Sequence, residues 1–272
     1  MKDKKNRIIQ IAAGICLLII LPAVLLWKNA PRNAYDIIFL GDSIFGNVQD
    51  ATSVPALVGA SLEMSSFNGG LGGTTASCLP ENAREDVIAN SASLFYLARA
   101  FSENNFSVIL SAQPVHDEGN VWYFEDTVEA MRYVDGSKAR YIIIEHGLND
   151  YFYGREIGTI EDTTPVTFLG ALRRSIEMLR DAFPEAEIVL VTPVYYENEE
   201  RIATTGASIA EYVWAEVSLA EDMNVLCYNA YEENFITAEN VDALTEDGVH
   251  LTEEGRCVLA NGIVEFLTED KR

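Results

Sequence analysis

The chain has 272 residues, enough for one large domain with a short appendage. Its composition is 49% hydrophobic and 22% charged, which excludes a disordered, collagen-like or low-complexity protein. The formal net charge of −23 argues against a nucleic-acid partner, because phosphates bind surfaces that are rich in Lys and Arg.

The charge divides the chain into two unlike parts. Residues 1–32 carry a net charge of +5, and residues 33–272 carry a net charge of −28. Residues 8–27 form an uncharged apolar stretch, and a helix of that length is about 30 Å long, the thickness of the hydrocarbon core of a bilayer. We therefore expect a transmembrane anchor at 8–27, a basic segment at 1–7 before it and a juxtamembrane linker at 28–34. A cleaved signal peptide and a buried core helix are the alternatives.

The flanking charges predict an orientation for this anchor. Four basic residues precede the span and two follow it, which favours a cytoplasmic N-terminus in a single-pass protein. The acidic domain, expected at 35–268, then faces the outside of the cell. If the apolar segment is cleaved as a signal, the same domain is secreted instead.

Three cysteines lie beyond the apolar stretch, at Cys78, Cys227 and Cys257. Their spacing contains no C-x-x-C pair, so we expect no zinc site, and at most one disulfide can form among them. The interpretation that we favour is that they are small buried apolar side chains.

Five short apolar runs alternate with helical periodicity along the rest of the chain. Runs rich in β-branched residues are typical of strands that are buried on both faces of a parallel sheet. The five predicted strands lie at 35–40, 63–67, 140–145, 187–192 and 224–228. Alternation of such strands with helices predicts a doubly wound α/β domain.

Three helices are predicted from apolar residues that recur every three or four positions. Thr164 and Pro165 resemble an N-cap and first turn for a helix that continues to Phe183. A second helix contains Ile209 to Val217, and a third, capped by Thr252, contains Leu259 to Phe266. Residues 76–138 are too long for one crossover, and we interpret them as an insertion with helical stretches near 84–101 and 122–134, forming a wall or lid.

Polar residues follow three of the predicted strands, where open parallel sheets bind their ligands. Ser43 comes directly after the first strand, on a turn that Gly41 permits, although Gly-Asp-Ser is also an ordinary helix cap. The glycine-rich segment at 68–75 can expose backbone N–H groups to a phosphate or an oxyanion, or it can be a plain turn. It lacks the lysine of a P-loop. Asn149 follows the clearest strand, where it can offer its amide or cap a helix.

Asp247 and His250 precede the last helix and have the spacing of an oriented base. An aspartate three residues before a histidine can bind Nδ1 and leave Nε2 free to take a proton from a serine. His146, at the end of a strand, suits a structural role, and His116 lies in a polar loop. Of the three histidines, His250 is therefore our candidate base.

Taken together, these four segments resemble the SGNH (GDSL-type) serine hydrolases. The matching segments, in chain order, are Gly41-Asp42-Ser43, Asn68-Gly69-Gly70, Gly147-Leu148-Asn149-Asp150 and Asp247-Gly248-Val249-His250. The resemblance implies a flavodoxin-like three-layer α/β/α fold with a central five-stranded parallel sheet. The chain departs from the family in its longer insertion and in having Leu251, where a proline often follows the histidine.

The resemblance also implies roles for individual residues. Ser43 is the expected nucleophile, His250 the general base and Asp247 the carboxylate that orients it. The expected oxyanion hole consists of the N–H groups of Ser43 and Gly70 and the side-chain amide of Asn149. No cofactor or metal is implied, and the oligomeric state stays open.

The substrate is the least constrained part of the prediction. Tyr151, Tyr153, Tyr195 and Trp122 are aromatic residues near the predicted site that could stack on sugar rings, or could simply pack the loops. We expect an esterase, with no cofactor, that acts on acylated carbohydrate at a cell surface. A lipid esterase or thioesterase, an acyltransferase and an inactive glycan-binding module are the alternatives.

Overall fold

A parallel sheet of five strands forms the centre of the computed structural model, which describes residues 32–79, 92–110, 124–196, 201–233 and 235–269. The strands are β1 (Ile37–Gly41), β2 (Ser66–Asn68), β3 (Tyr141–Glu145), β4 (Glu187–Val191) and β5 (Leu226–Tyr228). Their order across the sheet is β2-β1-β3-β4-β5, and all four neighbouring pairs are parallel. The predicted five-stranded parallel sheet is confirmed.

The strands form where the sequence predicts them because their apolar side chains are buried on both faces. Every residue of β1 and of β3 is buried. Strand β2 starts later than expected, at Ser66, because Glu63 has a positive φ of 53° and belongs to the turn before the strand.

Helices cover both faces of the sheet. They are α1 (Ser43–Gly46), α2 (Val54–Ser61), α3 (Leu94–Glu103), α4 (Ser107–Leu110), α5 (Phe124–Met131), α6 (Leu148–Phe152), α7 (Phe168–Ala182), α8 (Ile209–Met223), α9 (Val241–Leu244) and α10 (Glu253–Glu269). Alternate side chains of each strand enter two separate cores. Ile38 and Ile142 pack with α3, α7 and α8, whereas Phe39 and Ile143 pack with α2 and α10. This is the predicted three-layer α/β/α arrangement.

Helix α7 begins at Phe168 rather than at the predicted Thr164–Pro165 start. Thr167 is its N-cap, and the Thr167 hydroxyl accepts the Gly170 N–H at 3.2 Å. The Asp162 carboxylate binds the Thr164 N–H at 3.0 Å and the Thr167 hydroxyl at 2.8 Å, which holds the intervening residues in a turn. The last helix is capped as predicted, because Thr252 Oγ1 accepts the Gly255 N–H at 3.2 Å.

The segment at 76–138, interpreted from the sequence as a wall or lid, contributes a helix to the core. Leu94 and Leu97 of α3 are fully buried in the same core as α7. Residues 80–91 and 111–123 of this segment lie outside the described residues. Helix α3 of this segment therefore belongs to the helical layer that also contains α7.

The predicted membrane anchor at 8–27 also lies outside the described residues and stays a prediction. Among the helices that are described, none combines the length and the apolar character needed to cross a bilayer. The described residues from Ala34 onward belong to one compact unit.

The three cysteines beyond the apolar stretch are free thiols. Burial raises the pKa of the Cys78 thiol to about 12, so this side chain is neutral at physiological pH. Within the described residues, no cluster of three or more His, Cys, Asp or Glu side chains is arranged to hold a metal ion.

Candidate active site

Ser43 is the first residue of α1, directly after the carboxyl end of β1. Asp42 caps this short helix, and its Oδ1 accepts the Ile44 N–H at 2.9 Å. The turn requires a glycine before it, because a Cβ at Gly41 would lie 2.8 Å from the Phe45 ring and 3.0 Å from the Glu145 carbonyl oxygen. The sharp turn places the Ser43 hydroxyl at the carboxyl edge of the sheet.

The loop between α9 and α10 holds Asp247 and His250. Asp247 Oδ2 lies 2.6 Å from His250 Nδ1, and Asp247 Oδ1 accepts the His250 N–H at 2.8 Å. Burial alone raises the pKa of Asp247, but the hydrogen bonds from the His250 backbone and ring outweigh it and hold that pKa below its usual value. Asp247 is therefore an anion at neutral pH, and it favours the tautomer with a proton on Nδ1.

The turn after β1 and the loop between α9 and α10 meet at Ser43. His250 Nε2 lies 3.0 Å from Ser43 Oγ, a hydrogen bond between residues 207 positions apart in the sequence. Ser43 is 8% exposed and the side chain of His250 is 25% exposed, so the hydroxyl is nearly buried and the imidazole is partly open to solvent. A hydroxyl, an imidazole and a carboxylate in this series can move a proton from the serine to the histidine.

Asn149 lies beside this series, in the first turn of α6. Its side-chain amide donates to Asp42 Oδ2 at 2.9 Å and to the Thr74 carbonyl oxygen at 3.0 Å. The amide therefore links the residue before the serine to the glycine-rich loop. An N–H at this position can turn toward negative charge that develops next to Ser43.

The Gly70 N–H, predicted from the resemblance as an oxyanion donor, is engaged elsewhere. It donates to Asn68 Oδ1 at 3.0 Å, and a Cβ at Gly70 would lie 2.6 Å from the Gly46 nitrogen. Gly70 thus packs closely against the end of α1, and its N–H is already engaged in the free protein. Gly73, farther along the loop, has φ of +74°, a Cβ added there would meet no atom within 4 Å, and no hydrogen bond involves its N–H within the described residues.

The aromatic side chains predicted at the rim of the site differ in how far they are buried. Tyr151 is fully buried, and its hydroxyl bonds with the Tyr196 hydroxyl at 2.8 Å and donates to the Arg201 carbonyl oxygen, so it packs the core and cannot stack on a sugar. Tyr153 is 46% exposed, with the Arg155 guanidinium 5.5 Å from the centre of its ring. Tyr195 is half-buried against the core, and Trp122 lies outside the described residues.

Three buried titratable residues lie near the site, and the sequence predicted a structural role for His146 but no role for Asp150 or Glu145. Asp150 accepts hydrogen bonds from the Ala76 N–H at 2.8 Å and from the backbone and hydroxyl of Ser77, which ties α6 to the end of the glycine-rich loop. Burial lowers the pKa of His146 to about 3, so this histidine is neutral. Glu145 closes a run of four buried apolar residues and is itself buried. A charged residue at the end of an apolar strand is the sequence signal that could have identified Glu145 as a buried acid near the site.

A parallel α/β domain that carries a linked serine, histidine and aspartate at the carboxyl edge of its sheet has the architecture of a serine hydrolase. The chain belongs to the GDSL-like lipase/acylhydrolase family, whose model matches residues 39–256. Membership of this family makes it an ester hydrolase by class. A search of curated proteins finds no match.

Solved structures share the fold at low sequence identity. A protein from Lactobacillus plantarum has a TM-score of 0.62 and 19% identity, over 89% of this chain and 99% of its own. A lipase candidate from Chitinophaga pinensis has a TM-score of 0.57 and 16% identity, over 86% and 98% of the two chains. An acetyl xylan esterase has a TM-score of 0.50 and 18% identity, over 84% and 98%. At these identities the likeness establishes the fold.

Proposed function

We propose that this protein hydrolyses carboxylic esters through an acyl-enzyme formed on Ser43. The observation that carries the proposal is the unbroken hydrogen-bond series from Asp247 through His250 to Ser43, with spacings of 2.6 and 3.0 Å. These spacings lie within the range in which a base can take a proton from its nucleophile. The family of the chain independently supports ester chemistry.

The reaction proceeds in two transfers. Ser43 Oγ attacks the ester carbonyl while His250 Nε2 takes its proton, and the Asp247 carboxylate stabilises the imidazolium that forms. His250 then gives this proton to the departing alcohol, which leaves an acyl group on Ser43. A water molecule, deprotonated by the same nitrogen, attacks the acyl-enzyme and releases the carboxylic acid.

The oxyanion hole requires donors that point at the developing negative charge. We assign it to the N–H groups of Ser43 and Gly73 and to the amide of Asn149. Gly73 replaces Gly70 in this assignment because its N–H is unengaged, and because the adjoining Thr74 carbonyl oxygen is 3.0 Å from the Asn149 amide nitrogen. The Asn149 N–H that binds the Thr74 carbonyl oxygen is the one that we assign to the oxyanion, while the other N–H stays bound to Asp42 Oδ2.

As substrate we propose acylated carbohydrate at a cell surface. Three features support this: the apolar stretch at 8–27 that predicts an anchor, the exposed ring of Tyr153 four residues after Asn149, and a structural neighbour described as an acetyl xylan esterase. An anchor with its N-terminus in the cytoplasm puts the site on the side where such glycans lie. Aromatic rings that are open to solvent on one face can stack on sugar rings.

The test compares Ser43→Ala with wild type on a short-chain aryl ester and on an acetylated glycan. We expect Ser43→Ala to lose ester cleavage, whereas Ser107→Ala, which changes an exposed serine of α4, keeps wild-type rates. Release of acetate from the glycan, without turnover of long acyl-chain esters, supports the substrate class. If an added acceptor sugar takes the acyl group in preference to water, the protein is an acyltransferase. Equal cleavage by Ser43→Ala and wild type refutes the proposal.

A further inference from the structure

Two buried carboxyl groups face each other directly behind the nucleophile. Gly41 of β1 pairs in register with Glu145 of β3, so that Asp42, the next residue after Gly41, emerges beside Glu145 at the edge of the sheet. Asp42 is 1% exposed and Glu145 is 2% exposed. Their carboxyl groups are in side-chain contact, and Glu145 Oε2 has no other hydrogen-bond partner among the described residues.

Two carboxylates in such contact cannot both be charged in a buried site, so the pair keeps one proton between them at neutral pH. Burial raises the pKa of Asp42 to about 6, and the hydrogen bond from Ile44 partly offsets this effect. Burial and the neighbouring charge of Asp42 raise the pKa of Glu145 well above its usual value. The proton therefore resides on Glu145, and Asp42 is the anion.

Other titratable groups surround the pair on both sides. The charge of His250 lowers the pKa of Asp42, whereas that of Asp150 raises it. On the other side, Glu145 faces the carboxyl group of Glu216 in α8, a second acid that offers no positive charge to stabilise an ionised Glu145. Asp42 thus has a cationic partner available when His250 is protonated, while Glu145 faces acids alone.

The two oxygens of Asp42 hold the parts of the candidate site together. Oδ1 accepts the Ile44 N–H at 2.9 Å and thereby fixes the helical turn that starts at Ser43. Oδ2 accepts the Asn149 amide at 2.9 Å. Rotation of the Asp42 carboxylate would therefore disturb both the nucleophile and the amide beside it.

We propose that Glu145 is a positioning residue, which acts as a neutral acid that donates a hydrogen bond to the Asp42 carboxylate and so fixes the Asn149 amide beside Ser43. This role rests on the proposed function, in which Asn149 binds the oxyanion. The proton of Glu145 stays on Glu145 throughout the reaction, because the residue acts through Asp42 and touches no reacting atom.

The kinetic test uses substitutions at position 145. Glu145→Ala removes the hydrogen bond, and we expect kcat to fall about 10- to 100-fold with little change in KM, because the amide loses its fixed orientation. Glu145→Gln restores most of this turnover, since its amide N–H donates where the acid did. Glu187→Ala, at the exposed first residue of β4, is the control and keeps wild-type kinetics.

A double-mutant cycle separates positioning from a general loss of structure. If Glu145 acts through Asn149, Glu145→Ala costs little further turnover once Asn149→Ala is present. The proposal is overturned if Glu145→Ala lowers kcat by the same factor in the Asn149→Ala background as in wild type. It is also overturned if Glu145→Gln lowers kcat as much as Glu145→Ala does. Circular dichroism of each variant confirms that the fold is retained.

Infrared difference spectroscopy tests the proton itself and needs no catalytic activity. The spectrum of wild type minus that of Glu145→Gln, at pH 7, should contain the carbonyl stretch of a protonated carboxylic acid. A carboxylate band in its place refutes the neutral Glu145, even in an enzyme that hydrolyses esters through Ser43. If the protein hydrolyses no ester, the proposed function fails, and this measurement still decides where the proton resides.

Discussion

Glu216 provides a test of the buried charge distribution that is independent of catalysis. It lies in the middle of α8, is fully buried, and neither of its carboxyl oxygens has a hydrogen-bond partner among the described residues. Burial, reinforced by the charge of Asp150, raises its pKa well above the usual value. The folded protein therefore keeps a proton on Glu216 at a pH where the unfolded chain has lost it.

The magnitude follows from proton linkage. An unfolded glutamate titrates near pH 4.3, so above this pH each further unit costs the folded state about 1.4 kcal/mol for as long as Glu216 stays protonated. The contribution to stability is complete below about pH 4.3 and is lost as the pH rises toward the raised pKa of the folded state. Between pH 5 and pH 8 the loss amounts to as much as about 4 kcal/mol.

Glu216→Gln keeps the size and the neutral state of the side chain but removes the titration. We expect the unfolding free energy of the variant minus that of wild type, measured by urea titration, to increase steadily from pH 5 to pH 8. For Glu221→Gln, on the exposed side of the same helix, the curve of unfolding free energy against pH should run parallel to that of wild type. The reasoning is refuted if the Glu216→Gln and wild-type curves also run parallel, since the buried carboxyl would then be ionised in the folded state.

Three further substitutions probe the candidate site. Asn149→Ala should lower kcat about 10²–10³-fold in an ester assay while circular dichroism stays unchanged, and a loss of twofold or less would remove Asn149 from the oxyanion hole. Asp247→Asn should lower kcat by about 10²–10⁴-fold, because an amide cannot stabilise the imidazolium; unchanged kcat would contradict the series. Gly70→Ala should destabilise the domain by about 1–3 kcal/mol in urea, because its Cβ would lie 2.6 Å from the Gly46 nitrogen, and wild-type stability would disprove that packing.

Local sequence patterns predicted the strands well because burial on both faces requires continuous apolar runs. β3 and β4 lie within the predicted ranges at 140–145 and 187–192. The start of α7 was missed because the Asp162 side chain reaches five residues ahead to Thr167. The hydrophobic period continues into the preceding turn, so it does not locate the cap.

Proximity in sequence was a poor guide to which side chains line the site. Tyr151 follows Asn149 by two residues, but two helical residues are separated by about 200° around the axis, which turns Tyr151 into the core. The engagement of the Gly70 N–H depends on Asn68 folding back and on the approach of α1. The Asp42–Glu145 pair depends on the register of two strands whose paired residues are 104 positions apart in the sequence. The last two features depend on contacts between segments that are distant in the sequence, which local patterns do not specify.

The most direct test of the account is the labelling of the protein by a fluorophosphonate probe, read by intact mass. We expect wild type to gain one adduct, Ser43→Ala to gain none, and His250→Ala to be labelled at least about 100-fold more slowly, because the serine loses its base. Labelling of folded Ser43→Ala at the wild-type rate, or the absence of any adduct on folded wild type, would contradict the assignment of Ser43 as the activated nucleophile.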